Sequence, residues 1–525
     1  MHRPAIAGAD RSCGLVWETR RCVTSTRRIT HLAGSIHNSM CGIVGIVSPE
    51  PVNQQIYDSL LLLQHRGQDS TGIATLDGDF FHMVKAKGQV REAYRTRDMR
   101  SLTGNVGLGH VRYATRGSAA AEDEAQPFYV GAPYGIILVH NGNLTNTREL
   151  TADLYNVDRR HLNTHSDTEL LLNVLANELQ STISGLSLDA EQVFAAVSRV
   201  HERVEGSYAA IALIAGYGLL AFRDPFGIRP LVLGRRTGAN GSDEWVVASE
   251  SLVLESGGYE RVRDVEPGEA ILISPDGKMT SQQCAAETRL VPCAFEYIYL
   301  ARPDSVLSGI SVYEARLRLG DVLAEQVQAE LPDVDIDVVM PIPDSGRPSA
   351  MQLAQRLGVP YREGFFKNHY VGRTFIMPGQ AVRKRSVRQK LNAMSSEFAG
   401  KNVLLVDDSI VRGTTSREIV EMARAAGAKS VIFASAAPPV VFPHVYGINM
   451  PSRSELIAHE RTPAEIAAEL NADHLVYMSV EGMNRAILAG QDRVTELEQS
   501  CFTGEYITGS VDEEYLSWVE ATQES

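Results

Sequence analysis

Residues 402–418 read NVLLVDDSIVRGTTSRE, and the meaning of this stretch governs the rest of the chain. The apolar run 403–406 is β-prone and ends in two adjacent acids, Asp407 and Asp408. A turn rich in Gly and hydroxyl residues follows, then a helix. Ile419, Met422, Ala423 and Ala426 recur at helical spacing, Gly427 stands where a helix stops, and Thr415 with Glu418 has the spacing of a capping box. Strand, turn and helix N-terminus in this order gather free backbone N–H groups and the positive end of a helix dipole at one point, which suits a phosphate. The neighbouring carboxylates suit sugar hydroxyls, so the pair describes a site for a phosphorylated ribose. A short Gly-rich turn alone matches often by chance, and the bland alternative is an ordinary βα unit with a solvated acid pair.

Outward from this unit, strands and helices alternate over residues 290–480. Residues 336–342, 403–406 and 431–435 have strand character, and 348–357 form a helix that ends at Gly358. This order predicts a parallel α/β sheet with ligands at the carboxyl ends of its strands. Residues 41–275 differ. Short apolar runs at 135–140, 208–215, 219–223 and 244–248 are separated by Gly or Pro, and 170–179 has helical spacing. That pattern suits stacked antiparallel sheets faced by helices. Residues 276–289 are polar and read as a linker, and 481–525 as an acidic C-terminal extension.

A chain of 525 residues is too long for a single core, so at least two domains are expected. The net charge of −14 argues against a nucleic-acid footprint over the whole molecule. No apolar run approaches the ~20 residues that span a bilayer. Six dispersed cysteines form no disulfide framework and suit a reducing, cytoplasmic setting. Residues 1–39 hold six arginines and few acids. They read as a propeptide, a targeting arm, or a start assigned too early. The last is preferred, because Met40 stands where initiation and Met removal would expose Cys41.

Cys41 alone reads as a small buried hydrophobe. As a first residue it would combine a thiol with an α-amine of pKa roughly 7.7–8.0, a base near working pH. Downstream lie the blocks 64–69 (QHRGQD), 109–115 (GHVRYAT) and 140–144 (HNGNL). With Met40 and Cys41 they resemble the N-terminal-nucleophile glutamine amidotransferases, while 402–418 resembles the phosphoribosylpyrophosphate (PRPP) loop of type I phosphoribosyltransferases. Together, with 225–230, 295–299 and 367–378, they resemble the glutamine-dependent PRPP amidotransferases from Cys41 to about Tyr515.

The resemblance implies an α+β N-terminal-nucleophile domain (41–275) followed by an α/β type I phosphoribosyltransferase domain (290–480). Its expected reaction converts PRPP, glutamine and water to 5-phosphoribosylamine, glutamate and pyrophosphate. It implies Cys41 as nucleophile, Asn141 and Gly142 as oxyanion donors, and Arg112, Thr115 and Asp167 as ligands of glutamine. Taken singly, Asn141 and Gly142 also make a good hairpin turn, and a lone Arg or Asp is usually a surface charge. His65 and His110 read as structural.

At the second site it implies Asp407 and Asp408 on the ribose hydroxyls, and Arg412, Gly413, Thr414 and Thr415 around the 5′-phosphate. Lys367 and Lys390 would serve pyrophosphate, with Mg²⁺ near Ser345, Asp407 and Asp408. Residues 367–390 carry seven Lys or Arg and no acid. Such a run is usually a solvated face, and nucleic-acid contact is conceivable; its position in the family makes it a lid over pyrophosphate, hinged at Gly372 and Gly379.

Some relatives hold an iron–sulfur cluster on four cysteines. Here Cys293 and Cys501 take two of those places and His444 and Glu498 the others, so no cluster is expected. Purine nucleotides as inhibitors and a homo-tetramer are also implied. Two other readings are a different glutaminase-coupled enzyme such as a glucosamine-6-phosphate synthase, which lacks a PRPP loop, and a PRPP-sensing regulator, which would bring a basic DNA-binding module.

Overall fold

The computed structural model describes residues 41–112, 124–183, 187–238, 241–368, 391–448 and 450–524. Residues 1–40 and 369–390 lie outside the described residues, as do Thr115 and Lys390 among the expected site residues and Gly372 and Gly379 among the expected hinges.

The first half is built on two antiparallel sheets. One has seven strands in the spatial order Glu260–Asp264, Val232–Thr237, Asp243–Ala248, Cys41–Val47, Val106–Arg112, Ser70–Asp77 and Phe80–Lys87. The other has six: Met279–Gln283, Glu269–Ile273, Gly218–Arg223, Gly206–Ile214, Ile136–Leu144 and Phe128–Val130. Ile43, Val47, Val106 and Leu108 of the first sheet meet Ile137, Val139, Ile211 and Leu219 of the second in a dry layer between them. Helices Asp167–Thr182 and Ala190–Arg203 cover the outer face of the second sheet through Leu171, Leu175, Val193 and Val197. Helix Asn53–Leu62 covers the first through Ile56 and Leu60. Strands Cys41–Val47 and Gly206–Ile214 are buried along their whole length, because each lies inside its sheet with a packed layer on both faces.

The second half centres on a four-stranded parallel sheet, Val338–Pro341, Asn402–Asp407, Ser430–Ser435 and His474–Tyr477, in that order. Helix Arg347–Leu357 stops at Gly358, as the sequence predicts, and helix Thr414–Ala425 buries Ile419, Met422 and Ala423 before Gly427. The stretch expected to be a linker contributes Met279–Gln283, an edge strand with no fully buried residue, half-buried at Met279 and Thr280 and exposed from Ser281 to Gln283, so it lacks an apolar signature. The C-terminal helix Glu513–Glu524 packs Tyr515, Leu516 and Val519 into a core that also holds Val44, Cys293 and Tyr446. The described residues from Cys41 onward accordingly form one compact unit.

Candidate active site

Cys41 is the first residue of its strand, is buried, and lies opposite Arg112 in register. Arg112 is buried too. Its Nη2 donates to Glu124 Oε2 at 2.8 Å, while Nη1 has no hydrogen-bond partner among the described residues. Half of a guanidinium fork is thus held open beside Cys41, a geometry that suits a carboxylate. Glu124 carries no motif signal and was not expected here.

Asn141 and Gly142 are not a hairpin turn. They lie inside strand Ile136–Leu144, opposite Ala209 and Tyr208. The amides of His140 and Leu144 donate away from the neighbouring strand, to Gln126 Oε1 (2.7 Å) and Asp167 Oδ2 (3.3 Å), and Gly142 shares their parity along the strand. Asn141 Nδ2 is buried without a partner among the described residues. A buried amide donor left unfilled is costly unless a ligand completes it. Asp167 opens its helix behind the N-cap Ser166, with Oδ2 3.7 Å from His140 Nδ1. Burial holds His140 below the ordinary imidazole range, and burial together with Arg112 holds His110 well below it. Burial thus disfavours the charged form of both rings. His65 is bonded to Glu250 at 2.6 Å.

The second cluster sits at the carboxyl ends of the parallel strands, where sheets of this kind bind ligands. Asp407 closes strand Asn402–Asp407, and Asp408 accepts bonds from Ser345 Oγ and, at 2.7 Å, Ser409 Oγ. Burial and mutual repulsion push Asp407 well above the usual carboxylate range, and burial pushes Asp408 up as well. Such a pair is poised for a cation. The capping box expected at Thr415 and Glu418 does not form. Gly413, at φ 73°, is the N-cap and offers no side chain, so the helix begins at Thr414. The left-handed residue lets the chain turn tightly from the acid pair and leaves the first-turn amides and Thr hydroxyls for a ligand. Arg412 pairs with Glu455 at 3.2 Å, and Lys367 Nζ is 2.7 Å from Asp344 Oδ2 in the turn before Ser345.

A third cluster lies apart from both. Cys293 Sγ is 3.4 Å from His444 Nε2, which is 2.8 Å from Glu498 Oε2. His444 Nδ1 accepts from the Tyr446 amide at 3.2 Å, so Nε2 carries the proton that faces Glu498. Burial raises the Cys293 and Cys501 thiols far above their usual range, and Glu498, although fully buried, is held down to about 2 by its imidazole partner and Ser500.

An antiparallel two-sheet layer carrying a buried Cys at a strand start, joined to a parallel sheet with a phosphate-type turn, defines a glutamine amidotransferase coupled to a phosphoribosyltransferase. Comparison with known proteins agrees. Residues 110–256 match the glutamine amidotransferase domain family and residues 311–438 the phosphoribosyl transferase domain family. The chain is 54% identical over 481 residues to an amidophosphoribosyltransferase of Pseudomonas aeruginosa, covering 92% of this chain and 95% of the relative. It is 53% identical over 482 residues to that of Escherichia coli, covering 92% and 95%. A solved glutamine PRPP amidotransferase from B. subtilis, complexed with ADP and GMP, superposes with a TM-score of 0.79 at 37% identity, covering 90% of this chain and 98% of its own. The chain belongs to the amidophosphoribosyltransferases, glutamine-dependent pentosyltransferases that catalyse the first step of purine biosynthesis. The synthase and regulator readings are not favoured. No helix among the described residues is long and apolar enough to cross a membrane.

Proposed function

We propose that residues 41–275 hydrolyse glutamine and residues 290–480 transfer the released ammonia to PRPP, with 276–289 connecting them and 481–525 completing the core. The unfilled Asn141 Nδ2 within the strand that carries Gly142 supports this reading most directly. Cys41 attacks the side-chain amide carbon of glutamine. A C–S bond forms, the carbonyl electron pair moves to oxygen, and that oxyanion is received by Asn141 Nδ2 and the Gly142 N–H. The intermediate collapses with cleavage of the C–N bond, and the nitrogen leaves as ammonia with the proton taken from the thiol by the α-amine. Water then attacks the thioester and releases glutamate. Arg112 and Thr115 hold the α-carboxylate and Asp167 the α-ammonium. This chemistry requires residues 1–40 to be absent from the active enzyme.

In the second half, Asp407 and Asp408 take the ribose hydroxyls and offset positive charge developing at C1. Arg412, Gly413, Thr414 and Thr415 take the 5′-phosphate, and Lys367 and Lys390 the pyrophosphate. Mg²⁺ prefers oxygen ligands, and the raised acid pair with Ser345 fits it; when bound it neutralises the leaving pyrophosphate. The residues around Cys293 do not fit a four-thiolate iron–sulfur cluster, because two of the four donors are an imidazole and a carboxylate already bonded to each other. Purine nucleotides as regulators, a homo-tetramer and a cytoplasmic location complete the proposal.

Intact mass of active enzyme, measured beside glutamine- and ammonia-dependent phosphoribosylamine formation in Cys41→Ser, tests the division of labour. The substitution is expected to abolish glutamine use and spare ammonia use. Polypeptide still attached before Cys41 in active enzyme, or equal loss of both activities, refutes it.

A further inference from the structure

Residues 444–447 belong to the transferase half by sequence yet bond to the strand pair that carries Asn141 and Gly142. Tyr446 O accepts Ser207 Oγ at 2.8 Å and Arg229 Nε at 3.0 Å, and Val445 O accepts Asn143 Nδ2 at 2.8 Å. All three donors lie in the glutaminase half. Gly447 follows with φ 95°, packed so closely that a Cβ there would stand 2.8 Å from Gly142 C, 2.9 Å from its O and 3.0 Å from its Cα. On the other side, a Cβ on Gly142 would stand 2.0 Å from Ser207 O. Gly142 is therefore clamped between the Ser207 carbonyl and the Gly447 backbone, with no room for a side chain at either glycine.

The clamp is anchored from behind. The Tyr446 amide donates to His444 Nδ1, and the Tyr446 hydroxyl accepts the Thr508 amide at 2.9 Å. Arg229 and Glu296 are paired at 2.9 Å, and Glu296 also accepts Arg66 Nη2 at 2.6 Å; all three are buried. Of the Cys293, His444 and Glu498 cluster, His444 is the member bonded to Tyr446. Eight residues upstream of the segment, the Ala436 amide donates to Asp407 O of the second site at 2.9 Å.

We propose that residues 445–447 are a positioning element for the glutaminase. They press Gly142, and with it Asn141, into the geometry that receives the oxyanion, so that thioester formation requires this segment of the transferase half to be seated. The inference rests on the proposed oxyanion role of Asn141 and Gly142. It adds Gly447, Ser207 and the Tyr446 carbonyl as positioning groups that touch no reacting atom.

The test compares Gly447→Ala, Ser207→Ala and Asn141→Ala in the full-length active enzyme, measuring kcat and KM for glutamine and the ammonia-dependent rate. Ser207→Ala removes the bond to Tyr446 O and the one that Ser207 Oγ accepts from the Asn143 amide at 3.3 Å, without adding volume, so it reports even where Gly447→Ala folds poorly. Loss of one oxyanion donor lowers kcat by about 10²–10³-fold, so Asn141→Ala and Gly447→Ala are expected to fall in that range and Ser207→Ala by about 10-fold. KM for glutamine and the ammonia-dependent rate are expected to stay within about 3-fold, since a transition-state interaction is removed and the second site is untouched. Parallel loss of both activities in Ser207→Ala would make the segment merely structural and overturn the proposal. So would full glutamine-dependent kcat in both Gly447→Ala and Ser207→Ala while Asn141→Ala loses it. Unchanged kcat in Asn141→Ala would instead remove the oxyanion reading, and the positioning role with it.

Discussion

Glu296→Gln is the most incisive perturbation of this fold. Glu296 and Glu250 are the two carboxylates of a buried set whose guanidiniums are Arg66 and Arg229, with side chains 3% exposed or less. Two positive and two negative charges cancel. The substitution leaves one positive charge unbalanced in a dry core at nearly constant volume. Arg66 retains Glu250, so the deficit falls on Arg229, whose Nε still donates to the Tyr446 carbonyl and whose Nη2 has no partner among the described residues. Breaking a buried pair by removing one partner costs about 3–5 kcal/mol. Denaturant slopes are about 1–3 kcal/mol per M of urea for small proteins and grow with size, so the midpoint of the transition that opens this core should fall by about 1 M. Circular dichroism through a urea series measures it. The deficit should persist at about 1 M salt, because screening acts on exposed pairs far more than on buried ones. A shift under about 1 kcal/mol, or one abolished by salt, would refute the argument that this quartet is a desolvated, mutually neutralised unit.

Asp407→Asn should abolish phosphoribosyl transfer yet raise stability at neutral pH by about 0.5–2 kcal/mol, as relief of active-site strain commonly does. Both acids are raised in the folded protein, so the native state holds protons more tightly and wild-type stability should fall as pH rises from the unfolded carboxylate range, about 3.9, through the raised folded range; the variant should flatten this slope in thermal melts run upward from that range. A steeper slope in the variant would contradict the assignment. Arg112→Lys should raise KM for glutamine by about 10–100-fold, because a charged hydrogen bond of about 1.5–3 kcal/mol is lost with the fork. The ammonia-dependent rate should not change; a KM within about 2-fold of wild type would remove Arg112 from the glutamine site.

What was legible in the sequence was local. The strand, acid pair, Gly turn and helix of residues 402–427 are neighbours in the chain, so their order alone places them at the carboxyl end of a parallel sheet. The N-terminus of that helix was misread because Thr415 and Glu418 satisfy a spacing rule, whereas Gly413 starts the helix earlier by adopting a conformation a side chain would resist. Asn141 and Gly142 look like a turn in one dimension. The partner strand Gly206–Ile214, more than 60 residues away, keeps them extended. Nothing near Glu124 or Glu296 marks them as partners of Arg112 and Arg229, since those pairs are made across the fold. The C-terminal extension reads as acidic in sequence, yet Tyr515, Leu516 and Val519 share one face of its last helix and pack into the main core.

That shared core limits how the two halves can communicate. Domains hinge freely when the surface between them is small and polar. Here one buried cluster includes Val44 of the first strand, Cys293, Leu319 and Tyr446, and Val519 of the last helix. Hinging the halves apart would expose these side chains at roughly 25 cal/mol for each Å² of apolar surface, and would leave the buried Arg229 and Glu296 pair open to water. Changes small enough to preserve that packing remain available. Residues 445–447 pass so near Gly142 that a Cβ at Gly447 would stand 2.8 Å from its carbonyl carbon, so a displacement of this segment acts directly on Gly142. The shared core thus favours the proposed seating of residues 445–447 over a hinge as the route of coupling, since close-packed cores favour discrete rearrangements over gradual bending.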